Sequence, residues 1–91
     1  MTTFLVRHRV ADYDAWRTVY DGAGEIQRSA GVTDAAVYRD AEDPNVVLVM
    51  HRFGSRDQAE AFMANPNAKE TMESAGVDAS SMRVEVYEDP S

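Results

Sequence analysis

Phe4-Leu5-Val6-Arg7-His8-Arg9-Val10, followed at once by Ala11-Asp12-Tyr13-Asp14-Ala15-Trp16, is the stretch on which the fold turns. Its first half alternates: Phe4, Val6, His8 and Val10 fall on one face, Leu5, Arg7 and Arg9 on the other. That is a β-strand with one apolar face, and His8 lies on that face. At Asp12, a good helix N-cap, the period changes. Trp16, Val19, Tyr20, Ala23, Ile26 and Ala30 then recur at helical spacing until Gly31 ends the run. Gly22 and Gly24 inside this helix each cost about 1 kcal/mol relative to alanine, which marks a bend or a close backbone approach.

Working outward, a second strand fits residues 33–40, with Ala35, Val37 and Tyr38, and Ala41-Glu42-Asp43-Pro44-Asn45 is turn chemistry. Val46 to Phe53 is a third strand, apolar on both faces until His51, as in the middle of a sheet. Ser55 and Gln58 form a capping box for a second helix with Ala59, Phe62 and Met63 on its apolar side. Asn65-Pro66 breaks it, and Ala68, Met72 and Ala75 continue a short extension closed by Gly76. A last strand alternates from Met82 to Glu88. The order is β-α-β-β-α-β, a ferredoxin-like α+β fold with both helices on one face of a four-stranded antiparallel sheet. Residues 1–91 make one domain. The other face carries Leu5, Arg7, Glu85 and Tyr87, with Arg7 and Glu85 expected to pair across neighbouring strands. It is too apolar in part to stay bare. Two sheets packed face to face, a homodimeric α/β barrel, would cover it.

Composition narrows the function. Sixteen acids against nine bases give a net charge of −7, which speaks against nucleic acid as a partner. With no cysteine there is no disulfide, thiolate nucleophile or Cys-ligated metal. No apolar run approaches a membrane span, and Met1-Thr2-Thr3 runs straight into a strand without a signal-peptide layout, so a cytoplasmic protein is expected. There is no phosphate loop or dinucleotide fingerprint, no metal-ligand spacing and no nucleophile elbow. No cofactor and no metal are therefore expected, and any chemistry falls to the two histidines.

The strand Val6-Arg7-His8-Arg9-Val10 with Ala11 to Trp16, Tyr38-Arg39-Asp40 through Asp43-Pro44-Asn45, and Ser55-Arg56-Asp57-Gln58-Ala59-Glu60-Ala61-Phe62 together resemble the antibiotic-biosynthesis-monooxygenase-like superfamily of dimeric α/β barrels. The resemblance covers nearly the whole chain and is greatest to a branch of single-domain bacterial proteins labelled cyclase-like. It implies the fold. The superfamily spans cofactor-free monooxygenases, haem-degrading enzymes, polyketide cyclases and isomerases, so it does not by itself imply one reaction. The Asn, Trp and His arrangement of the haem-degrading members has no counterpart on this chain, and haem is not carried over.

Against that background His8 and His51 are the catalytic candidates. His8 points towards the helices, either as a core residue or as a base. The neighbourhood implied by the resemblance lets Tyr13, Trp16 and Tyr20 line a cavity with His8 at its floor. His51 shares parity with Val47, Val49 and Phe53, and the first and third strands are antiparallel neighbours in this fold. The two histidines then share a cavity or, in another register, point to opposite faces. Sharing it, they offer a base and a hydrogen-bond donor for an acidic C–H or a phenol. Arg52 is a candidate for holding a carboxylate or phenolate, although arginines near strand ends more often reach solvent or pair with acids. The expected function is a cofactor-independent monooxygenase or cyclase acting on an aromatic or polyketide-like molecule, with substrate-binding residues Tyr13, Trp16, Tyr20 and Arg52. The alternative is a non-catalytic dimeric module that binds a hydrophobic metabolite or serves as an assembly scaffold, with both histidines structural.

Overall fold

A computed structural model describes residues 1–90. The elements run β1 (Thr2–Val10), α1 (Tyr13–Gly22), α2 (Gly24–Ser29), β2 (Val32–Arg39), β3 (Val46–Phe53), α3 (Arg56–Ala64), α4 (Pro66–Ser74) and β4 (Val77–Glu88). The strands form one antiparallel sheet in the order β2-β3-β1-β4, with the two histidine-bearing strands at its centre. This is the four-stranded ferredoxin-like α+β arrangement, each predicted helix being divided in two. No helix among the described residues is long and apolar enough to cross a membrane.

Each division has a local cause. The run from Tyr13 breaks at Ala23, between the two glycines of lowest helix propensity. A Cβ added at Gly22 would meet nothing and one at Gly24 only the end of the Arg28 side chain, at 3.3 Å, so the glycines mark a bend and not a close backbone approach. At the second division, Asn65 ends α3 and caps α4 by accepting from the Asn67 N–H, with Pro66 at the first helical position. The expected short extension is thus a nine-residue helix in its own right. Asp12 and Ser55 cap α1 and α3 as their sequences suggest. The Gln58 side chain instead lies against Gly31, where φ is +94° and an added Cβ would come within 2.8 Å of the Gln58 amide nitrogen. The backbone conformation favours glycine at 31, and any side chain there would also have to displace the Gln58 amide.

β4 starts five residues before Met82, the expected first residue. Arg9 lies opposite Asp78 but Arg7 lies opposite Arg83, so residues 79–82 bulge out of register. Ser80 and Ser81 donate to Asp78, and Ser81 Oγ accepts the Arg9 N–H at 2.8 Å in place of a ladder bond. A bulge of small polar residues does not show strand alternation, which hides the first half of β4 in the sequence. The same register overturns the Arg7–Glu85 pairing. Arg7 faces Arg83 and pairs with Asp40 at 3.1 Å, while Glu85 sits across from Leu5 and accepts from Tyr87.

The core is divided as well. Val10, Trp16, Val47, Val49 and Ala75 form one cluster, and Phe4, Phe53 and Ala59 another. Phe53 and Val47 are fully buried. On the helix-free face, Leu5, Leu48 and Met50 are half-buried, with Tyr38 and Tyr87 exposed. Ion pairs Arg7–Asp40, Arg9–Asp43 and Arg52–Asp89 lie around them, each contributing at most about 1 kcal/mol at such exposure.

Candidate active site

The register Phe4↔His51 and His8↔Val47 brings both histidines to the helix face. They are separated by four positions of β1, about 13 Å along the strand. A row of rings spans the gap. His8 is 5.7 Å from Trp16, Trp16 stacks on Tyr20 at 5.0 Å and 19°, and Tyr20 stacks on His51 at 6.0 Å between centroids. Above this row lies a cavity of about 90 Å³ lined by His8, His51, Trp16, Tyr20 and apolar residues of both helix pairs. Its half-buried lining residues are Val19 and Tyr20 from α1, Ile26 and Gln27 from α2, and Phe62, Met63, Thr71 and Met72 from α3 and α4. The cavity therefore lies between the two helix pairs, over the sheet.

The histidines differ in their partners. His8 is 3 % exposed and neither ring nitrogen has a hydrogen bond. Burial lowers its pKa, so the ring is neutral at neutral pH with one nitrogen lone pair free. His51 Nε2 lies 3.0 Å from the Tyr20 hydroxyl, and burial pushes its pKa down to about 4. Burial raises the Tyr20 pKa, against a smaller opposing pull from Gln27 and Arg17. One end of the cavity thus holds a free imidazole, the other a neutral Tyr20–His51 pair. Among the described residues, no aspartate, glutamate, lysine or arginine lines the cavity, and no three His, Cys, Asp or Glu side chains gather as a metal site.

Two expected substrate residues lie elsewhere. Arg52 is adjacent to His51 in a strand, so the pleat turns it to the opposite face, where it pairs with Asp89 at 2.9 Å. Tyr13 opens α1 and does not line the cavity; the Arg39 guanidinium sits 3.9 Å from its ring centroid, and its own ring lies 5.9 Å from Trp16. Conversely, Gln27 and Thr71 line the cavity without a sequence signal. Their placement depends on the breaks at Ala23 and Asn65, which set the angles of α2 and α4.

The buried histidines also set an acid limit on the fold. Their pKa values are depressed in the folded state, so above the ordinary value of about 6.5 both states are neutral and no penalty arises. As pH falls from about 6.5 towards 4, the unfolded chain binds protons that the folded one refuses, and stability is lost. For His51 alone the loss is on the order of 3 kcal/mol, most of it reached by pH 4 and levelling off below. Urea midpoints measured between pH 7.5 and 4.5 are expected to decline throughout that window. A flat profile down to pH 4.5 would mean that the imidazoles protonate in place.

Comparison with known proteins follows the same lines. SnoaB, a cofactor-independent oxygenase from Streptomyces nogalater, superposes with a TM-score of 0.81 at 12 % identity, covering 99 % of this chain and 93 % of its own. A conserved protein from Methanosarcina mazei gives 0.75 at 14 % identity over 94 % of this chain and 89 % of the other. Rv0793 from Mycobacterium tuberculosis gives 0.70 at 16 % identity over 100 % and 97 %. At such identities the likeness is one of fold. No curated protein matches the sequence significantly. A family model described as antibiotic biosynthesis monooxygenase does match, from residue 7 to residue 74, a span running from β1 to the end of α4 and including both histidines, and the chain belongs to that family.

Proposed function

We propose that the protein is a cofactor-free oxygenase that takes a proton from a small phenolic substrate and lets dioxygen attack the resulting anion. The observation that carries this reading is His8: a neutral imidazole, buried in an apolar cavity, with neither nitrogen engaged. A buried polar group without a partner costs about 1–3 kcal/mol, and such groups in native structures call for a reason. Accepting a substrate proton supplies one.

His8 takes the phenolic O–H proton, and negative charge spreads to the para carbon. That carbon gives an electron pair to dioxygen, forming a C–O bond and a peroxide anion, which the imidazolium reprotonates. The O–O bond then breaks. Hydroxide leaves and combines with the proton lost from the same ring carbon, which becomes a carbonyl. Phenol and dioxygen thus give quinone and water, and His8 ends neutral. The stacked Trp16 and Tyr20 give the substrate ring an aromatic side to pack against, and Tyr20 with His51 offers a hydrogen bond at the far end. The 90 Å³ volume supports oxygenation over cyclisation, because folding a polyketide chain needs far more room. In an oxygen electrode with small phenols, one dioxygen is expected to disappear per quinone formed. Labelled dioxygen should place one atom in the quinone and the other in water. Quinone formation without dioxygen consumption would overturn the reading.

We also propose that the protein is a homodimer formed through the helix-free sheet face. Leu5, Leu48, Met50, Tyr38 and Tyr87 on that face support it, since no helix covers them. Light scattering at micromolar concentration is expected to give twice the mass of one chain, and a monomer there would sink the model.

A further inference from the structure

Resting on the oxygenase reading, we infer that the cavity selects an uncharged single-ring phenol or hydroquinone lying against the Trp16–Tyr20 stack, and turns away aromatic carboxylates and fused-ring substrates. Charge, volume and the placement of polar groups each argue for this choice.

Among the described residues no charged side chain lines the cavity. The arginines nearest in the fold are committed elsewhere. Arg17 lies 5.6 Å from the Tyr20 ring centroid but pairs with Asp21 at 3.0 Å, and Arg52 is bound to Asp89 on the opposite face. A carboxylate carried into this space would lose its water and find no cation, an arrangement that proteins avoid because the cost is large. Both histidines are held neutral by burial and supply no positive charge either.

The volume sets the second limit. At about 90 Å³ the cavity is smaller than the roughly 150 Å³ apolar cavity known to hold benzene. Met63 and Met72 are half-buried, unbranched and adaptable, and a change of their rotamers supplies the missing space for one ring. A second fused ring needs α2 or α4 to move as a body. Trp16 and Tyr20 stack face to face within 19° of parallel, so a planar guest beside them meets ring edges, an edge-to-face arrangement that suits an aromatic ring. The polar groups are His8 at one end and Tyr20, His51 and Gln27 towards the other, while the hydroxyl of Thr71, which also lines the cavity, donates to the Asn67 carbonyl at 2.8 Å. A hydroxyl at one end of a ring meets His8. A second hydroxyl across the ring, as in hydroquinone, points towards the Tyr20 end.

Trp16 is the single tryptophan, so its indole N–H resonance reports occupancy of this cavity alone. The test is an NMR titration under nitrogen with 4-methylphenol, hydroquinone, benzoate and 1-naphthol, following Trp16 and the imidazole C–H of His8. The two single-ring phenols are expected to shift both signals and saturate, with benzoate and 1-naphthol binding at least tenfold more weakly. Benzoate or 1-naphthol binding as tightly as 4-methylphenol overturns the selectivity, as does a failure of both single-ring phenols to saturate. Admitting air afterwards tests the reaction separately. Saturable binding of the phenols with no oxygen consumption keeps the ligand class and overturns the oxygenase.

Discussion

Replacing His8 by leucine is expected to cut oxygen consumption by about 10²–10⁴-fold, the usual contribution of a positioned acid–base group, while the melting temperature stays level or rises. The two effects separate because of how this imidazole is placed. It is 3 % exposed and its nitrogens bond to nothing, so its removal breaks no hydrogen bond. Leucine fills similar space next to Trp16 and Val47 without the desolvation cost of about 1–3 kcal/mol. In a domain of this length each kcal/mol moves the melting temperature by roughly 4–8 °C. Thermal denaturation and oxygen uptake on the same preparations check both halves. A fall in melting temperature of comparable size would mean that His8 is a bonded core residue, and unchanged oxygen uptake would remove it as the base.

The largest loss of stability is expected for Phe53→Ala. Phe53 is fully buried at the end of β3, edge-on to Phe4 at 5.8 Å and tilted on Phe62 at 5.7 Å, with Ala59 in the same cluster. Truncation leaves a void that three elements border, at a cost of about 3–5 kcal/mol. Against total stabilities of about 5–15 kcal/mol for single domains, a chain this small then approaches unfolding at room temperature. Urea denaturation gives the number directly. A loss below about 1 kcal/mol would show that α3 collapses into the void. Because Phe53 also meets the His51 ring edge-on, a partly folded variant should lose the Tyr20–His51 pairing too.

The outcome for individual residues shows where sequence periodicity reaches its limit. His8 was legible as inward-facing because alternation within β1 is strict, whereas β3 is apolar on both faces and left the side of His51 open until the register placed it opposite Phe4. The same rule, applied to Arg52, turns it away from the site, since a strand neighbour of His51 must face the other way. Tyr13 shares helical spacing with Trp16 and Tyr20, yet at the first position of α1 it lies beyond the cavity and beneath Arg39. Gln27 and Thr71 lie past helix breaks whose angles no local pattern encodes. The first half of β4 was hidden because its bulge of small polar residues satisfies its hydrogen bonds through Ser80, Ser81 and Asp78, not through a ladder.

By itself the sequence determined where most of the strand and helix segments lie and which face β1 presents, because those are consequences of a two-residue or 3.6-residue period and of local capping. It thereby determined the βαββαβ order and the inward-facing His8 of β1. Only the tertiary structure decided the register that sets His8 and His51 at opposite ends of one aromatic row, the pairing of Tyr20 with His51 and the isolation of His8, and the volume left between the helix pairs. Those depend on distances between segments far apart in the chain, and close packing settles such distances only when every element is in place.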